Sequence, residues 1–578
     1  MPPVLEFLGN IVAYPSVVRH IRFVTKRQER RTPGGAMRSH SVLIGPTLLL
    51  SVIATSLSVL PLGALTQVTP PQENAGGEVT VDWNVVAQIR EEGLQRSQIA
   101  NTLSYMTDVL GARLTNSIAM DKAQRWAVEE MKRIGLNGIN REPFMEYGIS
   151  WDNEYVSIHL LEPDYQPMVG YPIAHTPGTN GKQELQAIIA DVRTRQDLET
   201  LEGKIRGVAV LSTPPAIIDL SRFETGTPKR SAQEMRELAE AVVPPPPGPD
   251  PYFSRLYPDP PQNPDVLTAT ERLAFYVKEG VAVVLESSSG WPGAVRGFAR
   301  PGAKIDLWSR DATMSSVPIV AVTPEHYNRM YRILRRGIPV SLEVEVRNSH
   351  GTSVKQASNV LGEIPGTDLS QEVVMMGAHF DTWHASPNAS DNTSGVAVVL
   401  EAARILKAIG AEPRRTIRVA LWSGEEQGLY GSRAYVREHF GNPNDTNIGT
   451  TPEYETFSAY FNQDYGPGQY RGIWLQENEH VRQIFKAWME PFHDMGMTTI
   501  SLQGVGSTDH VPFDNIGLPA FQFLQARVGG TGGHTNLDFF DTVPIEDLMK
   551  NAVIMASFAY HAAMADERIP RKHTTPHN

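Results

Sequence analysis

The pattern of apolar and polar residues changes along this chain. Within 120–134 the apolar residues Ala123, Trp126, Ala127, Met131 and Ile134 recur near helical spacing, and Gly135 follows as a stop. Residues 81–135 therefore read as helices, and 155–161 as a strand. From about 165 to 340 the text becomes short strand-like runs, at 185–192, 207–211, 281–285 and 317–322, separated by turns. Beyond about 355 the runs lengthen. Residues 373–378 are continuously apolar, as strands buried on both faces are, and 392–409 follow as an amphipathic helix. Further strands are expected at 416–422, 457–461, 470–475 and 520–524, with helices near 478–494 and 545–565. Strands alternating with helices imply an α/β fold, a layered sheet with helices on both faces.

Two segments stand outside this pattern. Residues 42–65 carry no charge and follow a stretch with Arg19, Arg22, Lys26, Arg27, Arg30, Arg31 and Arg38. That is the arrangement of a signal peptide or an N-terminal membrane anchor. Residues 1–66 are read as this leader and 67–82 as a polar linker. Export to the periplasm or beyond is preferred; a membrane anchor with the catalytic domain outside is the alternative. The Pro-rich tract 244–264 can be neither helix nor central strand and reads as a surface loop. At 578 residues the chain exceeds one ordinary core. A net charge of −12 gives no basic field for nucleic acid. The absence of cysteine rules out disulfides, thiolate zinc sites and a cysteine nucleophile.

Metal-type side chains collect where the expected strands end. His379 and Asp381 follow 373–378, Glu425 and Glu426 follow 416–422, and Asp464 follows 457–461. Open α/β sheets bind ligands beyond the carboxyl ends of their strands. Asp391 heads the expected helix, and His534 lies beyond 520–524. Zinc takes imidazole nitrogen and carboxylate oxygen where no thiol is available, and two zincs can share one carboxylate. The reading assigns His379, Asp391 and Asp464 to one ion and Asp391, Glu426 and His534 to a second, giving two Zn2+ per chain. Asp381, counted with the catalytic residues, would orient the His379 imidazole; Asp538 or Asp541 would do so for His534. Adjacent acids cannot ligate one ion equivalently without strain. Glu426 is therefore the ligand and Glu425 the general base, taking a proton from a zinc-bound water and returning it to the leaving amine. His384, His439, His480 and His493 lack such context, and His561 is assigned to a frayed tail.

The segments 379–381 (His-Phe-Asp), 390–396 (Ser-Asp-Asn-Thr-Ser-Gly-Val) and 424–432 (Gly-Glu-Glu-Gln-Gly-Leu-Tyr-Gly-Ser) resemble the co-catalytic zinc exopeptidases. That family includes bacterial leucyl aminopeptidase, aminopeptidase Y, plasma glutamate carboxypeptidase and glutamate carboxypeptidase II. Residues 111–117 resemble the opening of its catalytic domain, 462–466 its next ligand strand, 507–513 its substrate-pocket loop and 534–538 its last ligand segment. The resemblance implies a mixed, largely parallel sheet. It implies a catalytic domain at 83–164 and 345–568, a β-rich protease-associated insert at 165–344 and a disordered tail at 569–578. It also makes Asp509, His510 and Tyr465 candidate substrate-pocket residues. The implied activity is hydrolysis of terminal bonds of a peptide or dipeptide, foremost as an aminopeptidase. The alternative is a carboxypeptidase or dipeptidase of the plasma glutamate carboxypeptidase kind, for which Arg527 and Arg471 are the candidate carboxylate-binding arginines. A transferrin-receptor-like binding protein is less favoured, because every ligand is intact. Some members carry a tyrosine before the last histidine as oxyanion donor; here that position is Gly533, and Tyr465 and His510 are the candidates to replace it.

Overall fold

A computed structural model of the chain describes residues 79–218, 230–241, 243, 263–288, 290–299, 316–351, 355–528 and 532–572. The leader, most of the linker and nearly all of the Pro-rich tract lie outside the described residues. Among the described residues no helix is long and apolar enough to cross a membrane.

The apolar run at 373–378 lies inside the strand Leu369–His379. It pairs in parallel with Arg415–Trp422 on one side and Phe457–Asn462 on the other. Ala520–Gln525 extends this parallel centre. Lys355–Ile364 and then Asn137–Tyr147 add antiparallel strands at one edge; Tyr470–Trp474 and Thr499–Ser501 complete the eight strands at the other. Helices Trp83–Gln95, Ile118–Ile134, Ser394–Ala408 and Ile545–Met564 bury their apolar sides against one face. The other face is closed by Tyr430–His439 and Val511–Asn515, where Trp422, Tyr435, Phe440 and Phe513 form an aromatic layer. With both faces covered, the central strands have no polar face to show, which is why their sequences are continuously apolar.

Local chemistry sets the element ends. Helix Ile118–Ile134 starts where the Ser117 side chain accepts from the Met120 amide, and it stops at Gly135, whose φ of 90° is left-handed. The expected helix at 392–409 begins at Ser394; Asp391 and Asn392 have non-helical dihedrals in an irregular turn, so Asp391 precedes the helix rather than heading it. The expected helix at 478–494 is three short pieces, the last opened by Pro491. Residues 569–572, read as tail, are packed: Ile569 is buried, the Arg571 guanidinium covers the Tyr454 ring and Lys572 pairs with Asp514 at 2.6 Å. His561 is likewise buried, with Nδ1 facing the Ser557 carbonyl and Nε2 accepting from the Asp82 amide.

A second eight-stranded sheet draws most of its strands from the insert. Its longest strands, Ser150–Glu162 and Ser341–Gly351, pair antiparallel. The first lies before residue 165, so this sheet takes in a strand that the sequence reading places with the catalytic part. Gln183–Ile189, Ala209–Leu211, Val283–Ser287 and Ile319–Val322 follow in order across the sheet. All described residues lie within one compact unit, Ala75–Asn578.

Candidate metal centre

The chain leaves Leu369–His379 for Arg415–Trp422 on one side and then crosses to Phe457–Asn462 on the other. Connections that diverge from one strand open a crevice at its carboxyl end. His379 ends its strand there. Glu425 and Glu426 follow Arg415–Trp422, and Asp464 follows Phe457–Asn462. Asp391 comes from the turn Ala389–Thr393, and His534 from a loop well beyond Ala520–Gln525. Thus strand ends supply part of the set, and two loops bring the rest.

The five residues meet as two groups, His379, Asp391 and Asp464, and Asp391, Glu426 and His534, with ligand-type atoms inside each group within 4.8 Å. Asp391 belongs to both. Its Oδ1 is 3.2 Å from His379 Nε2 and its Oδ2 is 3.0 Å from His534 Nε2. His379 Nε2 is 3.7 Å from Asp464 Oδ1, and His534 Nε2 is 2.8 Å from Glu426 Oε2. His379 Nδ1 donates to the Asp381 carbonyl at 3.0 Å, which leaves the Nε2 lone pair directed at the acids. Imidazole nitrogens and carboxylate oxygens converging at this spacing fit metal ions.

The surroundings differ from expectation in two places. The Asp381 carboxylate does not orient His379: its nearest oxygen is 3.9 Å from Nδ1, and the backbone carbonyl takes that proton. The carboxylate accepts instead from the Glu425 and Glu426 amides, both at 3.2 Å, and from the Thr115 hydroxyl. Asp381 therefore sets the Glu425–Glu426 loop. Asp538 does not reach His534; it accepts from the Ser390 amide and hydroxyl, holding the turn that carries Asp391. His534 is fixed by a neighbour that the sequence reading did not single out. The insert residue Gly297 donates its amide to the His534 carbonyl at 2.8 Å, and Val295 and Asn536 exchange two further bonds. Phe298 and Trp383 pack edge-on to the imidazole. Arg113, fully buried, ties the Phe380 carbonyl to the Thr393 hydroxyl beneath the site.

Charges here are coupled. Burial pushes the Glu425 carboxyl well above the ordinary carboxylate range; His379 opposes this, and Asp464, Asp509 and Glu426 add to it. Burial likewise lifts Glu426 to about 7. Against burial, His534 and His379 hold Asp391 below its usual value. Against burial, Glu426 and Asp391 raise His534 to about 10. Six acids, counting Asp381 and Asp509, gather around two imidazoles, and such a concentration of buried carboxylate calls for cations.

Both groups open on a cavity of about 720 Å³ that Glu425 also lines, a volume suited to a small ligand. Leu429, Trp474, Val505 and Phe523 give it an apolar wall. Tyr465 lines it too, its hydroxyl donating to the Gly506 carbonyl. Asp509 and His510 do not line it. Asp509 is buried against the Ser432 hydroxyl at 2.5 Å, and His510 Nε2 donates to the Val505 carbonyl; they support the pocket loop from behind. Leu429, Tyr465, Ser507 and His534, all cavity-lining, have φ between 57° and 67°. Side chains rarely adopt that region, at roughly 1–3 kcal/mol each, and residues so held cluster at functional sites. Gly533 leaves no room for a side chain: a Cβ there would lie 2.2 Å from Asp391 Oδ2. Arg527 lines the cavity and Arg230, which the sequence reading missed, lines it as well. No local motif marks a single arginine beside a Pro-rich tract. Arg471 lies elsewhere, donating to the Gly496 carbonyl.

Comparison with known proteins agrees with this geometry. The chain is 22% identical to mouse Carboxypeptidase Q over 496 residues, 83% of this chain and 88% of that protein. It is 27% identical to Aminopeptidase YwaD of Bacillus subtilis over 226 residues, 37% of this chain and 46% of the relative. A crystal structure of a peptidase M28 precursor from Shewanella amazonensis superposes with a TM-score of 0.57 at 20% identity, covering 85% of this chain and 98% of that one, and so shares the fold. Residues 359–559, which carry all five ligand-type residues and Glu425, match peptidase family M28. It is this segment, 359–559, that carries the likeness to peptidase family M28, and its motifs resemble the co-catalytic zinc exopeptidases.

Proposed function

We propose that this exopeptidase is a zinc aminopeptidase that removes N-terminal residues from short peptides. The observation that carries the reading is Asp391, whose two oxygens face the two histidines of separate ligand groups. His379, Asp391 and Asp464 would hold one ion, and Asp391, Glu426 and His534 the other. Bound zinc would polarise the scissile carbonyl and make water at the site more acidic. Glu425 belongs to neither group yet lines the same cavity. Its burial raises its proton affinity, which suits a base that takes a proton from the attacking water and delivers it to the leaving amine. Asp381 holds Glu425 and Glu426 in register through their amides. Gly533 has no side chain to serve as oxyanion donor; of the two expected substitutes Tyr465 lines the cavity, and to act as that donor its hydroxyl would have to leave the Gly506 carbonyl to which it now donates. The acids around the ligand groups favour a substrate's free ammonium beside the scissile bond.

The insert is read as a protease-associated domain, supported by its position within the catalytic part and its β-sheet. The uncharged run 42–65 behind a basic stretch supports export. The carboxypeptidase or dipeptidase reading has one observation in its favour, Arg527 at the cavity wall. A panel of free, N-acetylated and C-amidated peptides, with products identified by mass, separates these readings. Aminopeptidase action requires a free N-terminus; release of C-terminal residues from N-acetylated peptides would replace the reading with the carboxypeptidase one. Glu425→Gln is expected to retain metal and lose turnover by roughly two to four orders of magnitude.

A further inference from the structure

Among the described residues, a second cavity lies at the opposite end of the central strands. Leu369–His379 and Arg415–Trp422 run in parallel. Their carboxyl ends carry His379 and lead to Glu425 and Glu426. Ser370 and Arg418, towards their amino ends, line a cavity of about 400 Å³. Glu363, on the antiparallel strand Lys355–Ile364, stands opposite Arg418 in register. His439 and Phe440, at the end of helix Tyr430–His439, and Glu453, on the helix Pro452–Thr456, form the facing wall. The hydrolysis step uses none of these residues.

The charged groups here are held in place. Arg418 Nε donates to Glu363 Oε1 at 2.7 Å and its Nη1 to the Tyr435 hydroxyl at 2.5 Å, with only 18% of the side chain exposed. His439 lies between Glu453 and Glu142, each at 3.1 Å, and against burial these acids hold it protonated at neutral pH. Glu142 is not part of the lining. The cavity wall thus presents two cations, Arg418 and His439, and two carboxylates, Glu363 and Glu453. A guanidinium has five N–H donors, so the two bonds of Arg418 leave Nη donors for a ligand carboxylate. Glu363 meets Arg418 through Oε1 and Glu453 meets His439 through Oε2, so each keeps its other oxygen for an ammonium. Groups already fixed in one geometry lose little freedom when a ligand binds. An ion of single sign would meet attraction from half of these charges and repulsion from the rest. A small zwitterion meets both signs with its own. The volume is at the lower end for small-ligand sites, and Phe440 gives it an apolar surface for a short side chain.

We propose that this cavity is a second binding site, separate from the metal centre, for a small zwitterion, a free α-amino acid, whose carboxylate meets Arg418 and whose ammonium meets Glu363 and Glu453. The choice of ligand rests on the exopeptidase reading, because that reaction releases free amino acids; the chemistry of the site does not depend on it.

The test measures alanine binding to the zinc-loaded full chain by equilibrium dialysis. Acetohydroxamate is present to block the metal centre, since it chelates zinc and carries no ammonium. One equivalent of alanine is expected to bind. Alanine amide lacks the carboxylate and N-acetylalanine lacks the ammonium; each is expected to bind roughly tenfold or more weakly, having lost its charge-assisted bonds. Ser370→Phe fills the cavity from an exposed position and removes no buried charge; it is expected to abolish this binding. Arg418→Lys keeps a positive charge opposite Glu363 but loses the planar fork, and is expected to weaken alanine by about tenfold. No alanine bound once the hydroxamate is present, equal binding of the amide or the N-acetyl compound, or binding unchanged in both variants overturns the proposal. Release of terminal residues from a peptide by the same preparation, without hydroxamate, tests the exopeptidase reading separately. Its failure with alanine still bound removes that reading and leaves the site.

Discussion

Asp391 and Gly533 constrain each other. The carboxylate lies between two histidines, and the glycine gives it space, because a Cβ at 533 would come within 2.2 Å of Oδ2 and 2.4 Å of the Asp391 Cβ. These are positions that a real side chain does not tolerate without displacing its neighbour. Gly533→Ala is therefore expected to cost roughly 1–3 kcal/mol of overpacking and, more tellingly, to reduce the metal retained after dialysis. Full metal content in that variant would show that Asp391 can move without loss. At this scale the sequence was largely legible. All five ligand-type residues and Glu425 sit in short local motifs, and local motifs survive without a structure. What was not legible was direction. A carboxylate two residues beyond His379 can point at the imidazole or away, and Asp381 points at the next loop. Asp509 and His510 were placed near the pocket by their motif, yet both side chains are turned into the protein.

Among the elements, the central strands and the large helices were readable because burial on both faces makes their runs continuous. The strands Asn137–Tyr147 and Lys355–Ile364 were not read. The first is an edge strand with Gly138, Pro143 and two breaks in register, and its residues are mostly part-exposed or exposed, so it lacks an apolar signature. The bridge between Arg296 and Thr535 was equally invisible, since its partners lie far apart in the chain. That bridge makes the insert part of the metal centre: Gly297 holds the His534 backbone and Phe298 packs on its ring. Phe298→Ala is expected to weaken metal retention, measured by chelator competition, with little change in the far-ultraviolet circular dichroism. Unchanged retention would reduce this contact to packing. A second element-scale device lies away from the cavity. His439, at the end of helix Tyr430–His439, faces Glu142 on the edge strand and Glu453 on the helix Pro452–Thr456, each at 3.1 Å. Against burial, these acids raise its pKa from 6.5 to about 9. A raised folded-state value means the contribution is fully present below pH 6.5 and is lost as pH rises through about 9. The urea midpoint should therefore fall less between these pH values in His439→Gln than in the unaltered protein; equal falls would contradict the ion-pair account.

Over the whole molecule, one α/β sheet fixes where chemistry can occur, and the insert adds Arg230 to the cavity wall and Phe298 against the His534 ring. The order of the central strands puts diverging connections beside Leu369–His379, and the ligand-type residues gather in the crevice this opens. The layered α/β class was legible in the alternation of strands and helices, and the presence of a β-rich insert in the shift to short runs. The insert's share in the site, through Arg230 at the cavity wall and Phe298 against the His534 ring, was not, because it depends on contacts between segments far apart in the chain. On the proposed function, two ions held by these five residues drive peptide hydrolysis. This is tested most directly by titrating metal-stripped protein with zinc while following release of the N-terminal residue from an unblocked peptide. The account predicts negligible turnover without zinc and a maximum reached at two equivalents per chain. Full turnover by the metal-stripped protein, or saturation at one equivalent, would contradict it.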